Sequence, residues 1–280
     1  MPHHGVTAIP QVVYLDTKRF GVQTRKESSV KPTAEPMPSH SPSLSESIRI
    51  GLVVPAGTLL DREYWALADG WAEIFIARTR HLEGGMIHGR SYGLGDPDLV
   101  LPAVQQLLAV RPHVVAFACT AASFVGGPER EGSLRETITG AGAPLAVTTS
   151  GALVDALRRL EIERIAVATP YTEDLTGDLI DFLSEIGFDI VSTHALGLLD
   201  PNEVADLSPM AVEEMARRAD HPDAEAIFLS CTNLPTVRVL GAVSYALGKP
   251  VLSSNLVTMA AALEAAGLRE RSEVLLSLGV

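Results

Sequence analysis

Three segments of the first half of this sequence recur, in the same order, in the second half. RIGLVVP at 49–55 is echoed by RIAVATP at 164–170, and HVVAFACTAAS at 113–123 is echoed by EAIFLSCTNLP at 225–235. PLAVTTS at 144–150 is echoed more loosely by PVLSSNL at 250–256. The three offsets of 115, 112 and 106 residues are nearly constant, so the sequence predicts two copies of one structural unit.

Each copy alternates short apolar runs with amphipathic stretches. Continuous apolar runs are typical of parallel strands covered on both faces. They predict strands at 50–54, 114–118, 145–148, 165–168, 190–193, 226–230 and 251–253. Strand–helix alternation of this kind predicts an α/β fold with parallel sheets and right-handed crossovers.

Helix ends are legible between these strands. Ser150 is placed to cap a helix over 151–160. Thr172 is placed to cap a helix that ends at Gly187. Ser208 precedes a proline at a position where the missing N–H does no harm, so it is expected to open another helix.

The repeat predicts two pseudo-symmetric, Rossmann-like α/β domains with a cleft between them. We expect 48–149 plus 254–280 to form the first domain and 150–253 to form the second. Residues 1–47 differ from both, because 27–46 is rich in Pro, Ser and charge and nearly free of large apolar residues. Such a segment cannot bury enough surface to offset its ordering entropy, so we expect a flexible extension.

Composition excludes several classes of protein. The chain has 46% apolar residues and no run of 18 or more, so it is not an integral membrane protein. A formal net charge of −12 disfavours nucleic acid as a partner. Only two cysteines and no secretory signal pattern lead us to expect a cytoplasmic protein. A homo-oligomer is compatible with the sequence and not determined by it.

The two cysteines, Cys119 and Cys231, occupy equivalent positions in the repeat. Each follows a buried strand, and ligands of parallel α/β sheets bind beyond the carboxyl ends of the strands. The backbone N–H groups of Thr120, Ala121, Thr232 and Asn233 are then free to converge on an anion. The same positive field is expected to lower the thiol pKa. A pair of small buried side chains, or a regulatory disulfide, are the alternatives.

No metal or organic cofactor is predicted. His81, Glu83 and His88 lack the helical spacing of a two-histidine zinc site, so we interpret them as loop residues. Gly93-x-Gly95 lacks the third glycine of a dinucleotide site and is interpreted as a turn.

The segments IGLVVPAG, VVAFACTAASF, RIAVATPYTED, AIFLSCTNLPT and KPVLSSN resemble the aspartate/glutamate racemase superfamily. Among its branches, the sequence is most similar to the one that contains maleate cis–trans isomerases and arylmalonate decarboxylases. The resemblance covers about 48–268. It implies two α/β domains with a cofactor-independent active site between them.

The resemblance also implies roles for the cysteines. In racemases, two cysteines stand on opposite faces of the substrate carbon. In maleate isomerases, the first cysteine adds to the double bond and the second delivers a proton. Both patterns map onto Cys119 and Cys231. Arylmalonate decarboxylases have glycine at the first position, so Cys119 favours a two-cysteine reaction.

Other positions carry further implications of the resemblance. Tyr171 matches a family tyrosine that binds a substrate carboxylate. Thr120 matches a decarboxylase threonine that holds the enediolate, whereas Ala121 replaces the serine that follows it there. Pro55 begins a Pro-Ala-Gly loop of the decarboxylase kind, where maleate isomerases carry a Ser-Asn-type loop.

The leading hypothesis is therefore a cofactor-independent isomerase or racemase of a small carboxylate or dicarboxylate that uses Cys119 and Cys231. The first alternative is decarboxylation of a substituted malonate, with Cys231 as the proton donor. The second is a non-catalytic protein that binds a carboxylate.

Overall fold

The computed structural model describes residues 47–279, and within this range the chain forms two four-stranded parallel sheets. The strand order is β2-β1-β3-β4 in the first sheet and β6-β5-β7-β8 in the second. The strands are β1 (Arg49–Val54), β2 (Glu73–Arg78), β3 (Val114–Phe117), β4 (Ala146–Thr148), β5 (Arg164–Thr169), β6 (Asp189–Ala195), β7 (Ala226–Leu229) and β8 (Val251–Ser253). The predicted parallel α/β fold is confirmed.

Helices connect the strands in each half. In the first half they are α1 (Asp61–Ala68), α2 (His88–Leu94), α3 (Pro97–Leu108), α4 (Thr120–Phe124), α5 (Gly127–Gly140) and α6 (Thr149–Arg159). In the second half they are α7 (Glu173–Ile186), α8 (Pro201–Ala205), α9 (Pro209–Ala219), α10 (Leu240–Leu247), α11 (Ser254–Ala265) and α12 (Arg269–Ser277).

The two sheets repeat one topology, as the internal repeat predicts. Strands β1, β3 and β4 of the first sheet correspond to β5, β7 and β8 of the second. The loosest sequence match is one residue out of register, because Thr148 and Ser253 are the equivalent residues. Each ends its strand, and each side chain accepts a hydrogen bond from the backbone N–H three residues later.

Most helix ends agree with the sequence and two predictions are wrong. Thr172 caps α7, which ends before Gly187, and Ser208 caps α9. Ser150 is not a cap, because the helix begins directly after β4, at Thr149, and Thr148 is its N-cap residue. Gly93 is part of α2 and Gly95 follows its end, so these glycines do not form the expected isolated turn.

A continuous buried core connects the two sheets. One apolar cluster includes Leu52 of β1, Leu153 of α6, Val167 of β5 and Leu256 of α11, all without exposed surface. Helix α11 packs against α6 and also contacts β3, β4 and β8, so the start of α11 lies close to both sheets. The strand ends of both sheets are thereby held in fixed positions around one region of the molecule.

No helix within 47–279 is long and apolar enough to cross a membrane. The predicted extension at 1–47 lies outside the described residues except for Ser47, which is buried.

Candidate functional site

One cavity brings together all the residues that the sequence singles out as site candidates. Its volume is about 50 Å³, which is room for roughly four water molecules. The predicted residues that line it are Pro55, Cys119, Thr120, Ala121, Tyr171, Cys231, Thr232 and Asn233.

The fold explains why these residues meet. Pro55 directly follows β1 and Cys119 follows β3 by two residues, while Tyr171 follows β5 and Cys231 follows β7 by two residues. Each sheet therefore contributes the carboxyl ends of its two central strands, where parallel α/β proteins bind ligands. Both cysteines are free thiols.

Cys119 lies at the N-terminus of a short helix. Its backbone is extended, with φ −145° and ψ 106°, and it is the N-cap residue of α4. The N–H of Ser123 donates to the carbonyl oxygen of Cys119 at 3.2 Å, which closes the first helical turn. The N–H groups of Thr120 and Ala121 open that turn and have no acceptor within the helix, so they are available to an anion in the cavity.

Cys231 has a different backbone, because proline interrupts the corresponding turn. Pro235 stands where Ser123 stands in the first copy, and it has no N–H to close a helical turn. The N–H of Leu234 instead donates to the carbonyl oxygen of Cys231 at 3.1 Å. Cys231 itself has a φ of 105°, a conformation that residues with a side chain rarely adopt.

Hydrogen bonds surround the Cys231 thiol. The N–H of Asn233 donates to its Sγ at 3.4 Å, and the Tyr171 hydroxyl also donates to it. The hydroxyl of Ser230 donates to the Tyr171 oxygen at 3.3 Å. Burial raises the pKa of Tyr171 well above its ordinary value, so this phenol acts as a neutral donor.

Ser254 connects the two cysteine turns and was not identified from the sequence. Its Oγ accepts hydrogen bonds from the Thr120 hydroxyl at 2.8 Å and from the backbone N–H of Cys231 at 2.9 Å. It is the first residue of α11 and is fully buried. The third repeated segment does contain Ser254, directly after the strand that it predicts. The sequence match was one residue out of register at this segment, so it did not show that Ser254 begins the helix.

The side chain of Asn233 is engaged by the protein. Its Oδ1 accepts from the N–H of Leu59 at 2.9 Å, and its Nδ2 donates to the carbonyl oxygens of Pro201 at 2.8 Å and Gly57 at 3.3 Å. These contacts tie the loop after β1 to the start of α8. Asn233 therefore shapes the wall of the cavity with its side chain and offers its backbone N–H to the Cys231 sulfur.

Both thiols are less acidic than the sequence led us to expect. Burial raises the pKa of Cys119 to about 12 and that of Cys231 to about 11. The N–H of Ala122 lowers the pKa of Cys119 and the N–H of Asn233 lowers that of Cys231, as the strand-end argument predicts. Desolvation is the larger effect, so the expectation of a lowered thiol pKa is wrong.

Helix α2 contributes a wall that the sequence did not reveal. Met86, Arg90 and Ser91 line the cavity from this region. The positive charge of Arg90 lowers the pKa of Cys119, although less than burial raises it. Within the described part of the chain, no cluster of three or more His, Cys, Asp or Glu side chains is arranged to hold a metal ion.

Comparison with known proteins identifies relatives with the same architecture. Residues 73–277 match the family model described as arylmalonate decarboxylase. A maleate isomerase of Geobacillus stearothermophilus is 31% identical over 238 residues, which cover 81% of this chain and 94% of that protein.

Two solved structures extend this comparison. A cysteine-to-serine mutant of Nocardia farcinica maleate cis–trans isomerase, with a covalently bound succinylcysteine intermediate, is 27% identical with a TM-score of 0.72. A liganded arylmalonate decarboxylase mutant, with one glycine changed to cysteine and one cysteine to serine, is 26% identical with a TM-score of 0.72. Each match covers 79% of this chain and 93% of the other. The chain therefore belongs to the arylmalonate decarboxylase family, in the maleate isomerase and arylmalonate decarboxylase branch of the Asp/Glu racemase superfamily, and is an enzyme.

Proposed function

We propose that this enzyme is a cis–trans isomerase of a small unsaturated dicarboxylate such as maleate, with Cys119 as nucleophile and Cys231 as proton donor. The observation that carries the proposal is that both thiols line one small cavity. A Geobacillus relative that is 31% identical over 238 residues is a maleate isomerase. Because the reaction needs two free thiols, we place it in the reducing cytoplasm.

In the proposed reaction, the carbon–carbon double bond of the substrate becomes a single bond for a time, so that rotation about it is possible. The Cys119 thiolate forms a C–S bond with one alkene carbon, and the π electrons move to the other carbon and into its carboxylate as an enediolate. The Cys231 thiol protonates that carbon, and the carbon–carbon bond rotates. The Cys231 thiolate then removes the proton, the C–S bond breaks, and the trans alkene leaves with Cys119 again a thiolate.

The enediolate needs stabilisation because a C–H group next to a carboxylate is a very weak acid. The N–H groups of Thr120 and Ala121 are the donors that we assign to the negative oxygens. Donors of this kind are each worth about 3–4 kcal/mol of transition-state stabilisation when they are preorganised. Ser254 supports this arrangement by holding Thr120 and the Cys231 N–H on one oxygen atom.

Decarboxylation of a substituted malonate is the second candidate. It is favoured by the family model and by Pro55, which places an apolar ring at the cavity where an aryl group could pack. In that reaction Cys231 alone protonates the enediolate after CO2 leaves, and Cys119 takes no part.

Single cysteine variants separate the two candidates. We expect the unchanged enzyme to isomerise maleate and both Cys119→Ser and Cys231→Ser to lose at least about 10³-fold in turnover. Incubation of Cys231→Ser with maleate should leave a succinyl adduct on Cys119, detected by mass spectrometry of the digested protein. The reciprocal variant Cys119→Ser is the matched control and should carry no adduct.

Failure of the unchanged enzyme to isomerise maleate, or full isomerase activity of Cys119→Ser, would contradict the proposal. Release of CO2 from phenylmalonate by Cys119→Ser at the rate of the unchanged enzyme would favour the decarboxylase. Melting temperatures of both variants show that a loss of activity is not a loss of fold.

A further inference from the structure

The proposed reaction accumulates negative charge in a small space. A bound dicarboxylate carries two negative charges and the attacking thiolate a third. The residues that line the cavity include no Asp or Glu within the described chain, and their one cation is Arg90. Unpaired buried charge is costly, so the site needs this cation if its substrate is a dianion.

Arg90 is held at the cavity by its own neighbours. Its Nε donates to the carbonyl oxygen of Leu82 at 2.9 Å. Its helix, α2, is tied to α7 by His88 Nδ1, which lies 2.7 Å from Asp178 Oδ2. The preceding segment is fixed by the N–H of Met86, which donates to the carbonyl oxygen of Leu199 at 2.8 Å. Contacts within the protein therefore hold Arg90 beside the cavity.

The two terminal nitrogens of Arg90 have no hydrogen-bond or ion-pair partner within the part of the chain that the structure describes. Among residues 47–279, no carboxylate lies within ion-pair distance of Arg90, and its only hydrogen bond is the one from Nε. Arg130 provides a contrast. It donates to the carbonyl oxygens of Tyr92, Ala122 and Val125, and its guanidinium group stacks on the Tyr92 ring at 3.8 Å. Arg130 is engaged by the protein, whereas Arg90 has its two terminal nitrogens free for a planar anion.

We propose that Arg90 is a specificity-determining residue that pairs with one carboxylate of the substrate and selects dicarboxylates over monocarboxylates. This inference rests on the proposed function for the identity of the reaction and deepens it. The other carboxylate then lies towards the N–H groups of Thr120 and Ala121. One end of the substrate is held by a fixed cation, and the other end is the one that becomes the enediolate.

The test compares Arg90→Gln with Arg90→Lys, and both with Arg80→Gln as the matched control. Arg80 is an exposed arginine of the same segment and does not line the cavity. Binding is measured by calorimetry with two unreactive probes, succinate and its monoamide succinamate, and turnover is measured with maleate. Because the probes do not react, the binding result is independent of whether the enzyme is an isomerase.

Arg90→Gln should weaken succinate binding about 10–100-fold and leave succinamate binding within a factor of about three. Arg90→Lys, like Arg90→Gln, loses the hydrogen bond from Nε to Leu82, but it keeps the positive charge. It should therefore bind succinate in preference to succinamate more strongly than Arg90→Gln does. Arg80→Gln should match the unchanged enzyme. Loss of maleate turnover in Arg90→Gln should appear mainly in KM.

Equal succinate affinity in Arg90→Gln and the unchanged enzyme overturns the inference, as does equal weakening of both probes or no succinate binding by the unchanged enzyme. If the unchanged enzyme binds succinate through Arg90 and does not isomerise maleate, the proposed function fails and the assignment of Arg90 holds.

Discussion

The turn at Cys119 and the turn at Cys231 begin from the same position in a duplicated unit and end as different structures. Both cysteines stand two residues beyond a central buried strand, and both are followed by threonine. The first turn continues into a helix with Cys119 in an extended conformation. The second turn is interrupted by Pro235 and leaves Cys231 with a positive φ. The repeat places the two thiols at equivalent positions, and the different conformations of the two turns give them different surroundings.

This difference bears on the kind of reaction that the pair supports. Asn233 N–H and the Tyr171 hydroxyl donate to the Cys231 sulfur, whereas Cys119 is influenced by the N–H of Ala122 and by the charge of Arg90. A racemase treats the two faces of one carbon alike and is best served by two similar thiols. In an isomerase, one cysteine adds to the double bond and the other transfers the proton. The different surroundings of Cys119 and Cys231 therefore favour the isomerase.

Among the effects that test the difference between the two turns, the largest that we expect is on the dependence of rate on pH. Burial raises the pKa of Cys119 to about 12, so its thiolate fraction at neutral pH is small and rises tenfold with each pH unit. With Cys231 still protonated below its pKa of about 11, kcat/KM for maleate should rise about 100-fold between pH 7 and 9.

The stability of the folded protein should fall as pH rises, whereas the rate rises, and this contrast provides the control for the pH prediction. An unfolded cysteine ionises near its ordinary value of 9.0, below the raised values of the folded protein. Ionisation therefore favours the unfolded chain above pH 9, and the melting temperature should fall there while the rate still rises. A flat kcat/KM between pH 7 and 9 would show that Cys119 is already ionised and would contradict the effect of burial.

The sequence predicted the fold better than it predicted the chemistry. Apolar runs and the repeat indicated every strand except β2, which lies at a sheet edge with charged residues at both ends. Strand-end positions also brought the predicted site residues to one cavity. The thiol pKa could not be predicted, because its sign depends on how deeply the neighbouring turns bury the sulfur.

Arg90 could not be identified from the sequence for a similar reason. It follows the strand that was missed, in a segment without apolar periodicity, and it reaches the cavity only because distant residues hold that segment. Met86 bonds Leu199, and His88 lies against Asp178, more than 85 residues along the chain in each case. Contacts of this kind leave no local pattern in the sequence.

Tyr171→Phe is expected to have an intermediate effect, confined to the Cys231 side. It removes the hydroxyl that donates to the Cys231 sulfur and keeps the ring, whose centroid lies 6.1 Å from that of Phe124. Loss of one hydrogen bond to a charged group should lower kcat about 10-fold. Without this donor the pKa of Cys231 rises, so alkylation of Cys231 by iodoacetamide should slow at fixed pH.

Alkylation of Cys119 is the internal control and should keep its rate in Tyr171→Phe. Ser230→Ala keeps the phenol and removes only the hydroxyl that donates to it, so its effect should be smaller. Equal slowing at both cysteines would show that Tyr171 acts on the whole cavity and would remove one of the differences between the two turns.

The smallest expected effect is on the free energy of unfolding, and it distinguishes the backbone conformation at Cys231 from that at Cys119 directly. At Cys231 the positive φ strains any residue that has a Cβ, by about 1–3 kcal/mol. Cys231→Gly removes the strain and Cys231→Ala keeps it, and both remove the thiol. We therefore expect the glycine variant to unfold with a free energy about 1–2 kcal/mol higher than the alanine variant, although both are inactive.

The same pair of substitutions at Cys119 is the matched control. The extended backbone there accepts any residue, and the entropy that glycine loses on folding roughly offsets its advantage over alanine as an N-cap. Cys119→Gly and Cys119→Ala should then agree within about 0.5 kcal/mol. Each kcal/mol corresponds to about 2–4 °C in melting temperature for a chain of this size, so calorimetry resolves the contrast. An alanine variant as stable as the glycine variant at position 231 would mean that the Cys231 turn relaxes without cost. The strained backbone would then not be what sets this thiol apart from Cys119.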